Sequence, residues 1–188
     1  MAKFTKIPQD TFDALQLDAG VLLSNFDPET AAEPSDEDIL CATTGGITIT
    51  ATAEYTDMGE DVDNCPVGMM ELKKLASWLC TIGFTAITLT PKMIKLGLGA
   101  ADMDGKKVTI RRDLQLTDFQ DVWWVGDTAA GGMVAVHLLN ALSSEGLTIT
   151  TTKNGKGGME MTLQGHVSMD DQDTMPMEFY STAGESAA

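Results

Sequence analysis

The chain has 188 residues, of which 43% are hydrophobic, and a formal net charge of −16. This length suits one domain, 1–188, that can bury a core without disulfides or metal ions. So acidic a chain is not expected to bind nucleic acid, because affinity for phosphate backbones depends largely on lysine and arginine.

Targeting signals and cofactor motifs are not evident in the sequence. No run of eighteen apolar residues occurs, and the opening MAKFTKIPQD lacks the apolar stretch of a signal peptide. We therefore predict synthesis in a cytosol and no membrane partner. Cys41, Cys65 and Cys80 are odd in number and form no CxxC pair, which indicates free thiols and neither a disulfide framework nor a zinc site. No metal and no cofactor are predicted.

The first clear strand is GITITATAEY, which places Ile47 and Ile49 on one face and Thr48 and Thr50 on the other. Before it, residues 27–38 are charged and carry prolines, as a loop would. Residues 1–10 and 181–188 are predicted to be flexible.

A long acidic loop, residues 56–74, follows this strand. Its stretch YTDMGEDVDNCP contains four carboxylates and no base: Asp57, Glu60, Asp61 and Asp63. A calcium-binding EF-hand is excluded, because counting from Asp61 puts Pro66 at the position that requires glycine. Two interpretations remain, an ordinary solvated loop and a contribution to the electrostatic field of the whole protein.

The next segments predict a strand, a helix and a central strand. LCTIGFTAITLT reads as a strand whose apolar face changes near Ala86, which indicates a bulge. Thr90 can cap a helix that starts at Pro91 and ends at Gly97 or Gly99. MVAVHLL is apolar on both faces, as in a central strand or one covered by another subunit.

Further strands are predicted in KVTIRR, DVWWVGD, GLTITTT, GMEMTLQGHVSM and PMEFY. About seven strands and one helix indicate a mainly β protein, a β-sandwich or barrel with one flanking α-helix.

Three residues of these strands are candidates for a subunit interface. Trp123 and Trp124 are adjacent and must face opposite ways in a strand, so one of them needs a cover outside the strand's own core face. An ordinary half-exposed tryptophan is the alternative. His137 interrupts an apolar strand, which favours a hydrogen-bonded core or interface histidine over a catalytic one.

No catalytic motif is found. GxSxG and HExxH are absent, and the glycine-rich stretches lack the spacing of a phosphate-binding loop. We therefore predict that the chain is not an enzyme.

Taken in order, several segments resemble the major tail tube protein of long-tailed bacteriophages. The likeness runs from about Leu15 to Tyr180 and is carried by LQLDAGVLLSNFDP, ATTGGITITATAEYTDMGEDVDNCP, LKKLASWLCTIGFTAITLTPKMIKLGLGAAD, DVWWVGD, GGMVAVHLLNALS and GHVSMDDQDTMPMEFY. The resemblance implies the tail-tube type of fold, a β-sandwich or barrel with a helix on its flank.

The resemblance also implies a structural role in the virion. Proteins of this family form rings, generally hexameric, that stack into a tube through which DNA passes without specific binding. The expected partners are further copies of the chain, the tape measure protein, the tail terminator and the tail-tip proteins. The expected location is the phage tail, after synthesis in the host cytoplasm. Asp57, Glu60, Asp61 and Asp63 would then line the lumen or lie in a ring-stacking loop.

A different class of function stays open beside this one. Trp123 or Trp124 could be the platform of a monomeric β-sandwich that acts as a binding or adhesion module. A tube protein should polymerise, whereas such a module should stay a monomer or a small closed oligomer.

Overall fold

The computed structural model describes residues 7–8 and 11–182, so the ends predicted to be flexible, 1–10 and 181–188, lie mostly outside the described residues. Within them the elements are, in chain order, β1 (Gln16–Leu23), β2 (Ile39–Cys41), β3 (Thr43–Asp57), β4 (Lys73–Ala86), α1 (Pro91–Leu98), β5 (Ala101–Asp104), β6 (Lys107–Ile110), β7 (Gln120–Thr128), β8 (Met133–Ser143), β9 (Thr148–Thr150), β10 (Gly158–Gln164) and β11 (Met177–Ser181). Short 3-10 turns occupy Met70–Leu72 and Leu116–Asp118.

Nine strands form one antiparallel sheet in the order β2–β1–β7–β8–β10–β4–β3, with β11 beside β8 and β9 beside β10. The predicted mainly β fold with one short helix is confirmed. In the part of the chain that the structure describes, the sheet is open, because β2 and β3 lie at its two ends. The closed barrel that the sequence allowed is therefore not formed by the single chain.

Strand β8 joins two halves of this sheet. The first half contains β2, β1, β7 and β11, and the second contains β10, β9, β4 and β3. Residues 133–138 of β8 lie between β7 and β11, whereas Leu142 and Ser143 pair with β10. The change of pairing partner falls at Asn140, which has a left-handed φ of 47°. The backbone N–H of Asn140 donates to Asp121 Oδ1 (2.9 Å), and its side-chain amide donates to the carbonyl of His166 (3.0 Å). Of the two interpretations of MVAVHLL, a central strand or one covered by another subunit, the central strand is confirmed.

One hydrophobic core connects the two halves of the sheet. Leu22, Trp124 and Leu138 come from the first half, and Ile82 and Leu163 come from the second. All five side chains are buried. The apolar faces of the two halves therefore pack against each other and exclude water.

Helix α1 follows the predicted start and stop signals. The Thr90 hydroxyl accepts a hydrogen bond from the backbone N–H of Met93 (3.3 Å), Pro91 takes the first helical position, and Gly99 ends the helix with φ 69°. Met93 and Leu96 are buried. The helix is thereby anchored on the core.

Arg111 ties the β5–β6 hairpin to the 3-10 turn Leu116–Asp118. The guanidinium Nε lies 2.8 Å from Asp102 Oδ1, and Nη2 bonds to Asp118, whose side chain is buried. Burial by itself raises the pKa of Asp118. The hydrogen bond from the Gln115 backbone N–H and the contacts with Arg111 outweigh it, so the pKa lies below its ordinary value.

Three details differ from the sequence predictions. The bulge expected near Ala86 is wrong: β4 keeps its alternation and ends at Ala86, and the register shift lies in the partner strand β3, between Thr44 and Ile47. Strand β10 ends at Gln164, and Val167 beyond it is exposed. Strands β1, β2 and β5 were not predicted.

Candidate functional site

The β3–β4 hairpin has two halves with different surroundings. Near Ile49 and Ile82 the hairpin packs on the core, and β4 alternates between buried and half-buried residues. Beyond Ala51 and Cys80 the ladder continues to the Asp57–Lys73 pair, yet every residue of β4 from Lys73 to Leu79 is exposed. We call residues 51–79 the arm. The predicted loop 56–74 is thus the end of a longer hairpin.

The arm continues the apolar face of the core into solvent. Tyr55, Leu75 and Trp78 lie on this face and are 63%, 44% and 39% exposed. At the base of the arm is a notch of about 220 Å³, lined by Ala51, Trp78, Cys80, Met175, Met177 and Phe179. An apolar surface of this kind is typical of sites that contact another protein.

The arm tip, residues 57–72, combines acids with exposed apolar side chains. It contains the four predicted acids and Glu71, and it has no base. Asp57 Oδ1 accepts from the Gly59 N–H (3.0 Å), whereas Glu60, Asp61 and Asp63 are exposed. None of these acids forms an ion pair with a described residue. Val67 is fully exposed and Met70 is 81% exposed.

The opposite face of β3, β4 and β10 is polar. We call it the threonine face, after most of its polar members, which are Thr48, Thr50, Thr52, Glu54, Ser77, Thr81, Thr85, Glu160, Thr162 and Gln164. Leu79, opposite Thr52, is an exposed apolar side chain on the same face. Its paired rows from Thr85 to Ser77 contain no lysine or arginine in the described structure; the first base, Lys74, follows opposite Thr56. A shallow groove of about 510 Å³ on this face also reaches Glu145. The face therefore presents hydroxyls and carboxylates.

Both predicted interface tryptophans are buried within this chain. Trp124 is 8% exposed and its indole N–H donates to the Ala19 carbonyl (2.9 Å). Gly20 makes room for this indole, because a Cβ there would lie 2.6 Å from Trp124 Nε1, and its φ of 68° is left-handed. Trp123 is 7% exposed on the other face and lies edge-on to Phe26, at 5.8 Å. Its cover is this chain's own loop, and an interface role stays a prediction.

His137 packs flat on Trp123, with ring centroids 3.9 Å apart. Its Nδ1 lies 3.2 Å from Glu178 Oε2, which also accepts from the Tyr180 hydroxyl (2.8 Å). Asp121 Oδ2 lies 3.6 Å from Nε2. This is the hydrogen-bonded histidine that the sequence favoured. Its neighbours are two carboxylates and aromatic rings, and no serine or cysteine is among these contacts.

The structure does not bring the predicted site residues together. Asp57, Glu60, Asp61 and Asp63 lie at the arm tip, whereas Trp123, Trp124 and His137 lie in β7 and β8. The threonine face was missed as a site, although the run TITATAE contains its β3 members. That run alone does not show that β3 pairs with β4 and β4 with β10, and this pairing is what combines their polar side chains into one face.

Neither a metal centre nor a membrane helix is found in residues 7–8 and 11–182. These residues contain no group of three or more His, Cys, Asp or Glu side chains that could hold a metal ion. Among the helices of the same residues, none has the length and apolar character needed to span a membrane.

Comparison with known proteins gives no assignment: no protein-family model matches the chain, and no curated protein matches its sequence.

Proposed function

We propose that this chain is a structural virion protein of the tail tube type, with the β-sandwich fold of that family. Copies of it assemble into rings, generally six to a ring, and the rings stack into the tail tube of a long-tailed bacteriophage. The tube is a conduit for DNA and transforms nothing chemically. Its other partners are the tape measure protein, the tail terminator and the tail-tip proteins.

The threonine face carries this proposal. A conduit wall has to let a polyanion slide, and it must not provide the lysine and arginine contacts that release counterions and bind DNA. The threonine face has hydroxyls and the carboxylates of Glu54, Glu145 and Glu160, with no base along its paired rows. A wall made of six such faces would be smooth, hydrated and negative.

The free edge of β3 supports ring formation. β3 has 15 residues, pairs with β4 along one side and lies at the end of the sheet. Long exposed edges are usually blocked in monomeric proteins, because they pair with other chains. A backbone ladder from this edge to the next copy would extend the threonine face around a lumen, and head-to-tail contacts of this type close into rings.

The competing binding module is less well supported. A tryptophan platform needs an exposed indole face, but Trp123 and Trp124 are 7% and 8% exposed. Trp78, at 39% exposure, lies on the arm beside the apolar notch.

Negative-stain microscopy of the purified chain over a range of concentrations tests the proposal. Rings or tubes should form as concentration rises, and a monomer that persists at the highest concentration would overturn it. The wall is tested in the same preparation with Thr50→Lys/Thr81→Lys, which adds two cations to one row of the threonine face. Tubes of this variant should retain duplex DNA, whereas tubes of wild type and of the exposed control Thr11→Lys/Thr117→Lys should not.

A further inference from the structure

Residues 91–112, which we call the basic unit, differ in charge from the rest of the chain. They comprise α1, β5 and β6 and contain six lysines and arginines but two aspartates, a net of +4 in a protein of −16. Arg111 is engaged by Asp102 and Asp118. Lys92, Lys106, Lys107 and Arg112 are exposed and form no ion pair with any described residue.

The β5–β6 hairpin of the basic unit also exposes apolar side chains, on the face opposite to Lys107. Met103 and Val108 are cross-strand partners, and Ile110 shares their face of the β5–β6 hairpin. Met103 is 48% exposed and Ile110 is 70% exposed. The hairpin is fixed to the core through α1 and through Arg111, so the surface is presented on a rigid support.

The arm tip is complementary to the basic unit in both respects. It carries five acids and no base, and its exposed apolar side chains include Val62, Val67 and Met70. Within one copy, Arg111 and its partner Asp102 are the charges of the two surfaces that are neutralised by described residues of opposite sign, because the remaining ion pairs among described residues involve His137.

We propose that the basic unit of one copy receives the arm tip of another copy. The contact joins two different surfaces of the same chain, so it can repeat from copy to copy without closing, as end-to-end stacking of rings requires. The inference rests on the proposed function for its place in a tube, but the contact itself needs only self-association. Nucleic acid is the less suitable occupant of the basic unit, because phosphates would leave Met103 and Ile110 without an apolar partner.

Charge reversal tests the contact by microscopy. Lys106→Glu/Lys107→Glu replaces two cations with carboxylates in the surface that is proposed to receive the five acids of the arm tip. We expect rings to persist and mean stack length to fall about tenfold or more. The control Lys153→Glu/Lys156→Glu makes the same charge change in the exposed turn before β10 and should stack like wild type. Adding Asp61→Lys/Asp63→Lys to the first variant should restore stacking.

Stacking by Lys106→Glu/Lys107→Glu at wild-type length would overturn the inference, and so would an equal loss in the control. A loss of nucleic-acid binding with unchanged stacking would assign the basic unit to nucleic acid instead.

A cross-link separates this inference from the proposed function. Cys65 lies half-exposed in the arm tip, whereas Cys41 and Cys80 are buried. Under mild oxidation, Lys107→Cys should give a ladder of disulfide-linked oligomers that Cys65→Ser abolishes, and Lys156→Cys should give none. A ladder without rings or tubes contradicts the proposed function alone. Tubes without a ladder contradict this inference alone, and absence of both contradicts both.

Discussion

The inner and outer halves of the β3–β4 hairpin share one backbone ladder but differ in what stabilises them. Around Ile82 each alternate side chain enters the core, whereas around Leu75 both faces of the hairpin are exposed. An isolated two-stranded ribbon is marginally stable in water. We therefore expect the arm to contribute little to the stability of its own chain, which suits the contact with another copy proposed above.

Truncation of one leucine-sized side chain in each half is the strongest test of this comparison. Ile82→Ala removes a fully buried side chain from the core and should lower the free energy of unfolding by roughly 2–5 kcal/mol. Leu75→Ala, on the arm, should change it by about 0.5 kcal/mol or less. Urea unfolding of both variants provides the measurement. An equal loss in the two would mean that the arm packs on its own chain.

A second test compares an anchored carboxylate with one on the arm. Asp118→Asn should lower stability at pH 7, because the native pKa of Asp118 is depressed by Gln115 and Arg111, while the exposed Asp61→Asn should leave stability unchanged. A depressed native pKa contributes stability that is present above the unfolded-state pKa of 3.8 and is lost as pH falls through the native value.

The deficit of Asp118→Asn should therefore be constant from pH 7 to about 4 and shrink below that. Denaturation midpoints at several pH values show whether it does. A deficit that stayed unchanged in acid would mean that the carboxylate charge is not what stabilises the β5–β6 hairpin.

The third test compares the chemical reactivity of the cysteine thiols in the core and on the arm, and it involves no change in stability. Burial raises the pKa of Cys41 to about 11 and also raises that of Cys80, so both thiols should resist alkylation in the native state. Cys65, on the arm tip, should react first. Mass spectrometry of a short iodoacetamide treatment would locate the label, and labelling of Cys41 before Cys65 would contradict the assignment of core and arm.

The parts of the fold that sequence could predict have a strictly local signal. Thr90 and Pro91 sufficed for α1, and the alternation around Ile49 sufficed for β3. Strand β1 was missed because its register shifts between Leu17 and Val21, where Asp18 and Gly20 adopt left-handed φ and break the period of two.

The missed parts of the site depend on residues that are distant in sequence. Trp123 is covered by Phe26, which comes from a loop almost a hundred positions earlier. The threonine face exists because β10 pairs with β4, and no pattern within either strand specifies that pairing. Charge segregation between the arm tip and the basic unit is visible in the sequence, but whether the two compensate each other within one copy required the contacts of the folded chain.

The hydrogen bonds at Asn140 affect how stiffly the two halves of the sheet are joined. A change in the angle between the two halves of the sheet strains β8 at Asn140, where hydrogen bonds tie the strand to Asp121 on one side and to His166 on the other. Such a joint resists flexing. In the tube proposed above, we therefore expect curvature to be taken up at the contacts between neighbouring subunits, with each subunit moving as a rigid body.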